Sequence, residues 1–234
     1  MNNFKTRDVG AVLRKNSFPG SGIIAGLSKN GKHAVVAYFI MGRCEDCRNR
    51  VFNDFGDRLM VYPFDASAIS DPSKVIYTPM RKTGKRLVIA SSRHGDDICA
   101  ALESGGCYEG AANNVSFAQH ANFTPRISAL IDTEENYKYK LSIAKSSDAE
   151  GTGCDHVTYS YTPTPGVGHL ITAQNGELAF CGDPQRVTVL NSVDSFANKI
   201  WENLNADTRV ALYVRYISLS SGRTSVRVIN RNQK

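Results

Sequence analysis

No run of apolar residues in this 234-residue chain approaches the ~20 that a membrane-spanning helix needs. The opening Met1-Asn-Asn-Phe-Lys-Thr-Arg-Asp8 lacks the apolar core of a signal peptide, and a cytoplasmic location is expected. There is no internal repeat, low-complexity tract or linker-like stretch, so the expectation is one domain over 1–234. No zinc-finger, aromatic RNA-binding or Gly-x-x-Gly clamp signature is present, which sets nucleic acid aside as a partner. A Gly-x-Ser-x-Gly elbow is missing too, which leaves a serine nucleophile weakly supported.

What is present is an ordinary packed composition, 41% apolar and 21% charged, which rules out disorder, collagen and coiled coil. Lys and Arg number 28 against 22 Asp and Glu, a formal charge of +6. That surplus suits nucleic acid, anionic small molecules or simple solubility, and it is scattered rather than gathered. Of six cysteines, Cys44 and Cys47 form a C-x-x-C pair. With no second pair at similar spacing a zinc site is not supported, and no metal is expected. Without a signal peptide, free thiols are expected; a redox motif wants a helix start after a strand, whereas here a charged Arg-Asn-Arg follows.

The dominant pattern is strands in consecutive pairs. Residues 22–27 and 33–41 flank a turn at Asn30-Gly31, and 74–80 with 86–91 flank Lys82-Thr-Gly-Lys85. Further pairs are expected at 125–133 with 137–145, 156–162 with 168–174, and 209–219 with 223–230. Helices are few: 96–102, beginning with acids, and 193–204, capped at Asn191-Ser192 with Trp201 in the core. This is an α+β chain with a mainly antiparallel framework.

Three segments concentrate chemistry. Tyr38-Phe-Ile-Met-Gly-Arg43 runs on to Arg48-Asn49-Arg50-Val-Phe52, and guanidinium groups at a strand end suit a phosphate or carboxylate. A solvated loop ion-paired to Glu45 and Asp46 is the other reading. Ile76-Tyr77-Thr-Pro-Met-Arg81 leads through a strand to Ser91-Ser92-Arg-His94-Gly-Asp96, where a helix start offers free N–H groups for an anion. Asn122-Phe-Thr-Pro-Arg126-Ile127 puts an arginine beside a core strand, where it must meet a carboxylate, backbone oxygens or a bound anion.

Together and in this order, the three segments resemble the archaeal-type IMP cyclohydrolase family and its bacterial relatives, over about Gly22 to Ile131. The resemblance implies a four-layer α-β-β-α sandwich of the N-terminal-nucleophile hydrolase type without self-processing, in keeping with Asn2 rather than Cys, Ser or Thr after Met1. It implies ring closure of FAICAR, a formamido-imidazole-carboxamide ribonucleotide, to IMP and water. It also implies no cofactor, and assembly into homo-oligomers. Tyr77 matches the family's active-site tyrosine. By motif position Arg43, Arg48 and Arg126 are phosphate and carboxamide contacts, and Ser92 and His94 lie around the base and ribose. Asn49, Arg81 and Asn122 join them as substrate-binding residues.

One place departs from the pattern. The family's aromatic-Glu pair, whose Glu acts in proton transfer, here reads Phe117-Ala118, and Glu109 replaces that carboxylate only if the intervening loop folds back. Two other readings follow: a non-catalytic purine-nucleotide binder on the same fold, and an amide hydrolase using Cys44 or Cys107.

Overall fold

The computed structural model describes residues 5–69, 71, 75–118, 123–176 and 182–232. Two antiparallel sheets pack face to face. The first has six strands in the order β11 (Gln185–Thr188), β10 (Val167–Thr172), β1 (Ser21–Leu27), β2 (His33–Met41), β12 (Arg209–Ser218) and β13 (Thr224–Asn230). The second has seven, running β3 (Arg50–Asp54), β4 (Arg58–Pro63), β5 (Tyr77–Thr83), β6 (Arg86–Ala90), β7 (Arg126–Asp132), β8 (Lys138–Ser146) and β9 (Cys154–Tyr161). Among the described residues the helices are α1 (Val9–Lys15), the one-turn α2 (Glu45–Arg48), α3 (His94–Glu103), α4 (Tyr108–Asn113) and α5 (Val193–Asn203). None is long and apolar enough to cross a membrane.

Strand alternation assigns the layers. On β2, Ala34, Val36, Tyr38 and Ile40 face the second sheet, while Val35, Ala37, Phe39 and Met41 face the helices. Ile127, Ala129 and Ile131 of β7 and Tyr139, Leu141 and Ile143 of β8 meet them from the second sheet. Outside the first sheet lie Val9, Val12 and Leu13 of α1 and Phe196, Ala197 and Ile200 of α5. Outside the second, Ile98 and Cys99 of α3 and Tyr108 of α4 cover Val88 and Leu130. Each fully buried aliphatic or aromatic side chain stabilises the fold by about 1.5–3 kcal/mol. The near-continuous burial of β1 and β2 follows from being covered on both faces.

Most expected hairpins form. β1 and β2 turn at Gly31, whose φ of 71° is the left-handed geometry that glycine allows. The pairs β5–β6, β7–β8 and β12–β13 also form. The expected hairpin of 156–162 with 168–174 does not. β9 pairs with β8 in the second sheet, whereas β10 pairs with β1 in the first. The connection holds Pro163 and Pro165, which have no N–H to give a ladder, and it carries the chain from one sheet to the other. Trp201 is half-buried rather than central, with the Arg209 guanidinium 4.6 Å from its ring centroid.

Candidate functional site

A bulge in β5 aims the central residue. Leu59 and Val61, two apart on β4, face Met80 and Tyr77, three apart on β5. The extra residue falls at Thr78-Pro79, and Tyr77 therefore shares the inward face with Met80. Across the sandwich, β2 presents Tyr38 from the first sheet. The two hydroxyls lie 3.0 Å apart. They open on a cavity of about 180 Å³ whose lining includes Arg50, Ser91, Thr124 and Gln174.

The electrostatics separate the two phenols. Burial raises the Tyr38 pKa well above its usual value, and the neighbouring Tyr77 adds to the effect. Burial also raises Tyr77, but Arg50 and the hydrogen bond from Tyr38 both pull it back down. Both groups are protonated at neutral pH, and Tyr77 is the one whose anion the site favours. Either hydroxyl can donate across this contact; when Tyr38 does, the Tyr77 proton is left for a group in the cavity. Arg50 is held by backbone: Nε donates to the Cys47 carbonyl at 2.8 Å and Nη2 to that of Met41 at 3.4 Å.

Beside the cavity, β6 and β7 bring a second group together. Ser91 bonds Ile127 through both its amide (3.0 Å) and its Oγ, which accepts from the Ile127 amide at 3.1 Å. Arg126 precedes Ile127, and its Nε is buried without a hydrogen-bond partner. His94, 4% exposed, opens α3 with Nδ1 2.7 Å from Ser92 Oγ. Burial, and then the Arg126 guanidinium, push its pKa down to about 4, so the imidazole is neutral near pH 7. Gln174, from the first sheet, has its Oε1 buried and unpartnered.

Residues 18–222 match the family described as IMP cyclohydrolase-like protein. The chain belongs to that family. No curated protein matches it. Membership brings a general IMP cyclohydrolase-like function to the chain.

Of the residues that the family motifs single out, Tyr77 lines the cavity, and Ser92, His94 and Arg126 cluster next to it. Arg43 stands at the rim, its guanidinium 4.0 Å from the centroid of the cavity-lining Phe18 and its Nη2 donating to Gly176 O at 2.7 Å. Arg48 ends α2, and its carbonyl accepts from Asn232 Nδ2 at 2.7 Å. Asn49 clamps the backbone of Asp65 through Nδ2 (2.7 Å) and Oδ1 (2.8 Å). Arg81 lies on the helix-facing side of β5, 3.4 Å from Glu103 of α3. Glu109 also sits on that outer face, paired with Lys140, which holds its carboxyl below the usual range. Lys140 points away from the inward Tyr139 and Leu141, so the whole sheet separates Glu109 from Tyr77. Asn122 lies outside the described residues.

The expectation of free thiols fails at one pair, since Cys44 and Cys47 are joined by a disulfide. The charged residues that follow do not prevent a helix: Cys44 caps α2 directly after β2. Cys44 therefore holds no free thiol for a nucleophilic role, while Cys107 caps α4, its sulfur accepting from Gly110 N at 3.4 Å. Tyr38, Ser91, Thr124 and Gln174 have no role assigned from sequence, whereas Arg50 is one of the strand-end guanidinium groups read there as an anion contact. Tyr38 carried a signal, as the one inward residue of β2 with a polar tip.

Proposed function

We propose that the protein closes FAICAR to IMP with release of water, on a sandwich of the N-terminal-nucleophile hydrolase type that does not process itself. The observation that carries this reading is the Tyr38–Tyr77 hydroxyl pair opening on a cavity beside Arg50. The carboxamide nitrogen attacks the formyl carbon of the same molecule, and most of the acceleration comes from holding the two groups in contact. Tyr77 donates to the formyl oxygen as charge develops there, and Tyr38 hydrogen-bonds the resulting phenolate while Arg50 stabilises it. The carbinolamine then loses that oxygen as water, with one hydrogen taken from each reacting nitrogen. Arg43, Arg48 and Arg126 hold the phosphate and carboxamide, and Ser92 and His94 contact the base and ribose. Asn49 and Arg81 enter this reading only through the elements they brace.

A second reading, a purine-nucleotide binder with little turnover, draws on a specific feature. No carboxylate is among the described residues lining the cavity, Ala118 stands where the family's Glu is expected, and Glu109 is on the far face. Mixing the protein with FAICAR and following IMP by chromatography against a protein-free control tests both. IMP formation well above the control supports the enzyme. No conversion, with a melting temperature that rises on adding IMP, supports the binder; ligand at 100-fold over its dissociation constant adds about 2.7 kcal/mol.

A further inference from the structure

The Cys44–Cys47 bridge lies in the only described segment that connects the cavity's arginine to an exposed covalent bond. Cys44 is exposed and Cys47 half-buried, so one sulfur is open to attack from solvent. Four residues cannot sustain a helix unaided, and α2 is held from outside. The bridge ties its first turn, Asn232 holds the Arg48 carbonyl, and Asn49 holds Asp65. Gly42 packs so closely that a Cβ there would lie 2.6 Å from the Cys47 carbonyl carbon, which fixes the path between β2 and α2. The Cys47 carbonyl is also the acceptor for Arg50 Nε. Bridge, helix and cavity arginine therefore form one short chain of contacts.

We propose that Cys44 and Cys47 are a thiol–disulfide exchange site, reduced by a dithiol, whose oxidised state holds Arg50 against the nucleotide cavity. A thiolate of the reductant attacks Cys44 Sγ and displaces Cys47 as the thiolate, giving a mixed disulfide. The reductant's second thiol then attacks its own bridged sulfur and releases Cys44. Two electrons pass to the protein, the reductant becomes a cyclic disulfide, and its two protons end on the cysteines. Once reduced, α2 loses its covalent tie and the Cys47 carbonyl its fixed position.

The test uses the whole protein with and without dithiothreitol, followed by alkylation and peptide mapping, hydrogen exchange, and IMP titration. The expected result is alkylation of Cys44 and Cys47 only after reduction, with exchange at the Arg48 and Asn49 amides accelerated at least about tenfold. IMP affinity falls about tenfold in the same step, while Cys44→Ser/Cys47→Ser protein sits at the reduced level in both conditions. Resistance of the pair to reduction overturns the proposal, as does unchanged exchange over 44–50 in the reduced protein. The affinity arm rests on the nucleotide reading: IMP that binds neither form defeats that reading, and the exchange arm still decides the switch.

Discussion

Tyr38 and Tyr77 belong to different sheets and meet hydroxyl to hydroxyl at 3.0 Å, so the pair is assembled across the sandwich. The consequence is an unequal pair. Tyr77→Phe removes the proposed donor hydroxyl and is expected to lower FAICAR turnover by about 10²–10⁴, with IMP-induced thermal stabilisation retained. Tyr38→Phe keeps the Tyr77 hydroxyl and removes only its hydrogen-bond partner, so the expected loss is smaller, about tenfold. Single-turnover rates of the two variants check the order; equal losses would place the chemistry elsewhere.

Arg50 lowers the Tyr77 pKa against the rise caused by burial. With Tyr77 as the proposed donor, turnover needs the phenol protonated, and the expected activity is full at neutral pH and lost as pH rises through the Tyr77 value. Arg50→Met removes the pull, moves that alkaline loss to higher pH, and lowers the neutral rate because the developing phenolate loses its counter-charge. A pH–rate profile of both proteins reads the two effects together, and an alkaline limb that moves down contradicts the assignment.

The hairpins were legible because their signals are local: Asn30-Gly31 forces its turn, and alternating apolar residues on β7 and β8 can bury only one way. The site was half legible. Tyr77 could be named from its motif, but its direction depends on the β5 bulge, which no spacing in the sequence announces. Glu109 looked available because it is near Ala118 in the chain, yet the alternation of β8 puts its partner Lys140 on the outer face. β3 and β4 escaped notice because Arg50, Asn53, Asp54 and Arg58 interrupt the apolar pattern of strands near the sheet edge. The β9–β10 pairing fails for a different reason: consecutive strands usually pair, but here the connection with Pro163 and Pro165 carries the chain to the other sheet.

His94 makes stability depend on pH. Its imidazole has a folded pKa of about 4, below the unfolded value near 6.5, because burial and Arg126 disfavour the cation. The stabilisation is thus complete above about pH 6.5 and is lost as pH falls toward 4, where the unfolded state binds the extra proton. At pH 5 the expected cost is about 2 kcal/mol relative to pH 7. His169, also lowered to about 4 by burial and then Arg186, acts in the same direction. Urea midpoints at pH 7 and pH 5 for wild type and His94→Asn check this; a variant that loses as much on acidification as wild type removes His94 as the cause.

Ala118 offers the most direct test of the missing carboxylate. Its amide donates to the Thr124 carbonyl at 3.0 Å, and Thr124 lines the cavity, so this position borders the site even though it carries no carboxylate. It is half-exposed, which leaves room for a longer side chain without overpacking the core. Ala118→Glu supplies the acid–base group that the family pattern expects, and turnover of FAICAR is expected to rise about tenfold or more, with Ala118→Gln showing no such gain. A gain confined to the Glu variant means that the natural chain works with an impaired proton transfer. Equal rates for wild type, Glu and Gln mean that the tyrosine pair already moves the proton and that the family's carboxylate is dispensable in this site.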